Sequence, residues 1–206
     1  MAADTVRADG TATFSRIAGA SGIASQLVMA VSVGVAVTRC SWFSWTDAEL
    51  SILGMEGPAR LLVRSAFILA GLLYVPFVFG LARTLPANRV TRVGVIALVL
   101  GAAALAVTGF FLRSLDMPHD VFSVAFFVLI NVGLVSLGLG VAVTSRMAWG
   151  VSTVLAGVFM AVFQVVPWPW EGGAITQALV VLPWLAWTVV GGVRMLLAKQ
   201  DTGERG

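Results

Sequence analysis

Long apolar runs alternate along this chain with short clusters of charged and turn-forming residues. Each run approaches the roughly 20 residues that an α-helix needs to cross the hydrocarbon of a bilayer. The pattern predicts six spans, at 17–38, 61–82, 93–112, 121–144, 147–166 and 174–193. The thinnest separation is Ser145-Arg146, which leaves room only for a tight turn between antiparallel neighbours. The expected fold class is therefore all-α, an integral membrane bundle of six transmembrane helices. Its domain plan is a single unit over 14–198, with small polar residues at 1–13 and 199–206 forming flexible tails.

Within the first loop, "SWFSWTDAELSILG" at 41–54 breaks the apolar pattern. Thr46 to Glu49 matches the S/T-x-x-E capping box, in which the threonine hydroxyl and the glutamate carboxylate satisfy free N–H groups at a helix start. Leu50 and Leu53 then offer an apolar face and Gly54 an end. The expectation is a short interfacial helix anchored by Trp42 and Trp45.

Composition confirms the solvent. Of 206 residues, 59% are hydrophobic and 11% charged, and the mean hydropathy is +0.96, beyond the range of soluble domains. Lys and Arg distribute unevenly: nine of the 13 fall on the side holding both chain ends and four (Arg39, Arg60, Arg64, Arg113) on the other. The positive-inside rule then places both termini in the cytoplasm and the Trp-rich loop outside. Six of the ten acids lie on that outer side, so the high pI reflects a basic inner rim suited to anionic headgroups and not to nucleic acid. The first span, 22 residues without a charge, exceeds a signal-peptide h-region and is expected to remain in the mature protein.

Chemistry is sparse. No ionisable residue lies at mid-depth, which argues against an ion-coupled transporter. Gln26 and Asn131 are the strongest polar groups there, and an interhelical hydrogen bond accounts for such residues. Towards the outer side polar groups become denser: Arg64, Thr108, Ser123, Gln164, Thr176 and Gln177 in the spans, with Asp47, Glu49, Ser51, Arg113, Asp116, His119, Asp120 and Glu171 in the loops. A closed bundle would bring these around a shallow outward-facing pocket, with Arg64, Arg113, Asp47, Glu49, Trp45, Gln164 and Gln177 as its ligand-binding set.

"RSLDMPHDVFS" at 113–123 carries the single histidine between two carboxylates. An imidazole with a carboxylate partner can serve as a base. Against this, Asp116 or Asp120 also suits a helix cap, with Pro118 and His119 shaping the turn before it. One histidine and one cysteine do not complete a zinc site, and a haem would find at most one His ligand; no metal and no cofactor are expected.

Two segments together resemble the DUF998 family of archaeal and bacterial multi-pass membrane proteins. They are "WTDAELSILG" followed by "FILAGLL", and "DMPHDVFSVAFF", and the likeness extends over roughly residues 15–195. Leu50, Ser51, Leu53, Gly54, Gly71 and His119 match the family pattern. Ala48, Ile52 and Arg64 depart from the Asn, Asp and Asn expected there, which removes polar groups from the outer loop. The resemblance implies a fold more firmly than an activity.

Three functions follow in order of support. The first is a non-enzymatic, multi-pass protein of the cell membrane that binds lipid or serves as an accessory or assembly subunit. Its expected partners are membrane lipids, with a protein partner or a homo-oligomer in the membrane, and no nucleic acid. The second is a membrane-embedded hydrolase or transferase acting on a lipid or isoprenoid, with His119 as base, Asp116 or Asp120 orienting it and Ser51 as nucleophile. The third is a small channel or transporter.

Overall fold

The computed structural model describes the backbone of residues 2–111, 116–144, 146–168 and 173–198, with side chains from residue 13 onward except 116 and 117. Its helices are α1 (Ala2–Arg39), α2 (Arg60–Thr84), α3 (Arg89–Phe110), α4 (Asp116–Ala142), α5 (Met147–Val165) and α6 (Ala174–Leu197). All six contain a stretch long and apolar enough to cross a membrane, and no strand occurs among the described residues. The chain is thus a multi-pass membrane protein. Helix α1 begins well before its apolar run, because a helix once nucleated propagates at little cost per residue into a polar segment.

Each helix packs against its neighbours in sequence, and α6 returns to α1, closing a ring. Such packing in lipid depends on close backbone approach, since hydrophobicity alone does not favour helix over lipid contact. The glycines supply it. A Cβ at Gly94 on α3 would stand 2.6 Å from the Leu137 nitrogen of α4, and at Gly19 and Gly192, where α1 meets α6, a Cβ on either would stand 2.7 Å from the other's carbonyl oxygen. Hydroxyls add hydrogen bonds between α1 and α2, with Ser25 donating to the Ala70 carbonyl at 2.8 Å and Ser21 to that of Leu73. Asn88 joins α3 to α4: its Oδ1 caps the Thr91 N–H at 2.8 Å while its Nδ2 donates to the Gly140 carbonyl at 2.8 Å.

Outward-facing side chains such as Leu27, Leu69, Ile96, Val128 and Leu155 are exposed and apolar, as a lipid-facing surface requires. The ring has a near end, where α1 begins and α6 finishes, and a far end. Its middle and near half are filled by aromatic rings from facing helices: Tyr74 and Phe77 of α2, Phe126 of α4, and Trp184 and Trp187 of α6, with centroids 5.2–6.0 Å apart. Trp149 of α5 stacks on Trp187 from outside that group.

The loop joining α1 to α2 departs from its expected form. The capping box does not assemble: the helical segment is the 3₁₀ stretch Leu50–Gly54, whose N-cap, Glu49, makes no side-chain cap. Asp47 takes the hydroxyls instead, accepting from Ser44 at 2.5 Å and Thr46 at 2.8 Å. A single carboxylate oxygen, Asp47 Oδ2, accepts both bonds and outcompetes the cap, because Ser and Thr hydroxyls form such local bonds readily.

Candidate functional site

The loop is fastened to the start of α6. Four N–H groups at a helix start lack intrahelical partners, and here the loop backbone supplies two of the acceptors. Ala174 donates to the Ala48 carbonyl at 2.7 Å and Ile175 to that of Trp45 at 3.0 Å. The side chain of Gln177 completes the junction by accepting the Leu50 N–H at 2.7 Å. Gly173 permits this approach, since a Cβ there would lie 2.5 Å from the Thr46 carbonyl oxygen.

Beneath the loop, in the far half of the ring, lies a cavity of about 460 Å³, within the range of small-molecule sites. Its rim carries Trp45, Glu49, Ser51, His119, Asp120 and Gln177, and it runs down α6 as far as Leu185, roughly 12 Å of helix below Gln177. Phe67, Leu105, Phe126 and Trp184 make its walls and floor mainly apolar. Val124 of α4 and Leu182 of α6 also line it, yet they are 62% and 51% exposed. The cavity therefore opens on the flank between α4 and α6. Helix α5 leaves that flank uncovered: its buried residues are Gly150, Thr153, Gly157 and Met160, whereas Val165 further along is 79% exposed.

Gln26 and His119, which both line this space, have unmet hydrogen-bonding capacity. Gln26, at the middle of the membrane-crossing part of α1, is 2% exposed, and neither its Oε1 nor its Nε2 has a partner. His119 is 5% exposed with its Nδ1 unpartnered, while Nε2 reaches Ser123 Oγ only at 3.5 Å. Each unsatisfied buried group costs about 1–3 kcal/mol, and both side chains line a space large enough to hold a partner. Thr108, by contrast, donates to the Ala104 carbonyl of its own helix at 2.9 Å.

The structure thus gathers His119, Asp120, Ser51, Glu49, Trp45 and Gln177 around one cavity. Three residues expected with them lie elsewhere. Arg64 Nε donates to the Gly54 carbonyl at 2.9 Å and so holds the end of the 3₁₀ segment, away from the cavity lining. Asp47 is exposed in its hydroxyl cluster, which holds its carboxyl below the ordinary value of 3.8, Ser44 contributing most and Thr46 next. Gln164 is exposed on the outward-leaning end of α5. Arg113 and Glu171 lie outside the described residues, as does the Asp116 side chain. Among the described residues no three His, Cys, Asp or Glu side chains gather as metal ligands would.

Ser51 Oγ donates to Glu49 Oε2 at 3.1 Å and so serves the loop's own hydrogen bonding. The reading of Gln26 also changes, because the interhelical bond expected for it does not form. Its position at the centre of a charge-free span was the signal available in sequence. The apolar walls carried none, since Phe67, Phe126 and Trp184 look like any other core residues.

A family model described as protein of unknown function (DUF998) matches residues 23–194. No curated protein and no solved structure matches the chain.

Proposed function

The chain belongs to the DUF998 family, and from that premise we propose that it binds a small amphipathic, membrane-soluble molecule in the far half of the bundle. The observation that carries this reading is the Gln26 amide, buried at the cavity with donor and acceptor both unmet. A ligand group that donates and accepts at once, such as a hydroxyl, an amide or a protonated carboxyl, satisfies both atoms. His119 Nδ1 offers a second polar contact nearer the rim, and the apolar walls between take hydrocarbon. The flank opening between Val124 and Leu182 admits such a molecule from the lipid of a cell membrane without passage through water.

Binding fits better than turnover. A nucleophile needs a base within hydrogen-bond reach that a third group orients; the His119–Ser123 separation is long, and among the described residues no third group orients Glu49 in its 3.1 Å contact with Ser51. Binding also fits better than conduction, because Tyr74, Phe77, Trp184 and Trp187 fill the bundle below the cavity.

The test is to purify the protein from membranes in mild detergent and measure retained small lipids by native mass spectrometry. Wild type is expected to hold a stoichiometric amphipathic molecule, and Gln26→Leu to weaken its retention about tenfold, the equivalent of one hydrogen bond of ordinary strength. Equal retention by the two proteins overturns the reading.

A further inference from the structure

A second cleft, at the opposite end of the bundle, has a different chemistry. It measures about 300 Å³ between the start of α5, the end of α2 and the end of α6, and its walls include Ser15, Thr84, Arg146, Trp149 and Arg194. Among the described residues no carboxylate lines it. Both arginines are exposed and make one contact apiece, which leaves most of their donors available. Arg146 Nη1 donates to the Thr84 carbonyl at 3.0 Å, using one of the five N–H donors of a guanidinium. Arg194 lies over the Trp149 ring at 4.5 Å, a stacking contact that uses its face and leaves its N–H edge unspent. The first turn of α5 begins at the same place, and Arg146, its N-cap residue, gives no side-chain cap to the helix N–H groups. Two guanidiniums beside a positive helix end favour a doubly charged oxyanion.

We propose that this cleft binds a phosphate group, carried either by an anionic lipid headgroup or by a soluble phosphate compound. Phosphate suits the cleft better than a carboxylate, since it brings more charge and more oxygens to a guanidinium before α5 and another on α6. Occupancy joins Arg146, before α5, to Arg194, near the end of α6, at the end of the bundle that the charge distribution assigns to the cytoplasm.

The experiment compares wild type with Arg146→Gln, Arg194→Gln and the double variant, using Arg92→Gln as a control. Arg92 is exposed on α3 and does not line the cleft. Each protein is exchanged into nanodiscs of phosphatidylcholine with or without phosphatidylglycerol, and lipid retention is read by native mass spectrometry after transfer to detergent. Each cleft arginine is expected to weaken phosphatidylglycerol retention roughly fivefold, and the pair about 25-fold, from the usual contribution of a basic residue facing an anionic lipid. Arg194→Lys, which keeps the charge but loses the planar stack, is expected to fall between wild type and Arg194→Gln. In a parallel arm, inorganic phosphate is titrated against thermal unfolding in phosphatidylcholine alone; cleft-dependent protection there assigns the site to soluble phosphate. Loss of phosphatidylglycerol as large in Arg92→Gln as in the cleft variants overturns the proposal, as does no cleft-dependent response in either arm.

Discussion

Trp187 and Trp184 lie three residues apart on α6, yet the bundle treats their indoles differently. Trp187 Nε1 donates to Thr153 Oγ1 at 2.8 Å, inside a stack with Trp149 and an edge contact with Phe77. Trp184 instead packs edge-on against Tyr74 and Phe126, and its ring lines the far cavity. The same division holds for α5, whose near part is packed through Gly150, Thr153 and Gly157 while its far part leans out. The near half of the molecule is closely packed from helix to helix. The far half encloses a space with Gln26 and His119 on its wall.

The largest test of this contrast breaks the near half. A Cβ at Gly150 would stand 2.7 Å from the Gly138 carbonyl, and one at Gly138 would stand 2.6 Å from the Val154 nitrogen, so α4 and α5 meet backbone to backbone. Gly150→Leu is expected to destabilise by about 3 kcal/mol or more, at the upper end of overpacking costs, because backbone cannot rotate aside as a side chain can. Thermal unfolding in detergent measures this. A variant as stable as wild type would show that α5 is dispensable to the packing.

Next comes the far half, where the sign reverses. Gln26→Leu exchanges an unsatisfied amide for an apolar group of similar size, and in ligand-free protein it is expected to stabilise by about 1–3 kcal/mol. The same change weakens ligand retention, so stability and binding move in opposite directions. A loss of stability in the ligand-free variant would instead mean that the amide has a structural role.

A smaller effect is expected from Thr153→Val. It removes the acceptor for the Trp187 indole and should cost about 0.6–1.7 kcal/mol, the span measured for hydrogen bonds between membrane helices. Ligand retention should stay unchanged, because Thr153 does not line the cavity. A change in retention would show that the two halves are coupled.

The six helices were legible because each follows from a run of apolar residues bounded by charge, a local signal of the required length. Asp120, His119 and Glu49 were legible as a polar cluster for the same local reason. Arg64 was misplaced because a long side chain chooses among partners that sequence does not locate, and the Gly54 carbonyl lay within reach. The cavity itself was not legible. It arises where α5 diverges from α4 and α6, and divergence depends on which small residues meet across a seam, information distributed over three helices. Gln26 illustrates the limit: its depth was readable, but the absence of a partner depends on what every neighbouring helix presents to it.

The smallest expected effect concerns whether the first loop belongs to the site or supports it. Asp47 is fully exposed, so solvent screens its contribution to stability. Its carboxyl lies below the ordinary value of 3.8 because Ser44, then Thr46, donate to the charged form. A group depressed in this way contributes stability above its unfolded value, and the contribution is lost as pH falls through the lower folded value. Asp47→Asn should therefore flatten slightly the acid limb of a stability profile below about pH 4 and leave neutral pH with only a minor loss. Because the loop backbone caps α6 through Trp45 and Ala48 without using the Asp47 side chain, ligand retention at neutral pH is expected to match wild type. Reduced retention in Asp47→Asn would mean that the hydroxyl cluster holds the loop over the cavity, and the loop would then count as part of the binding site.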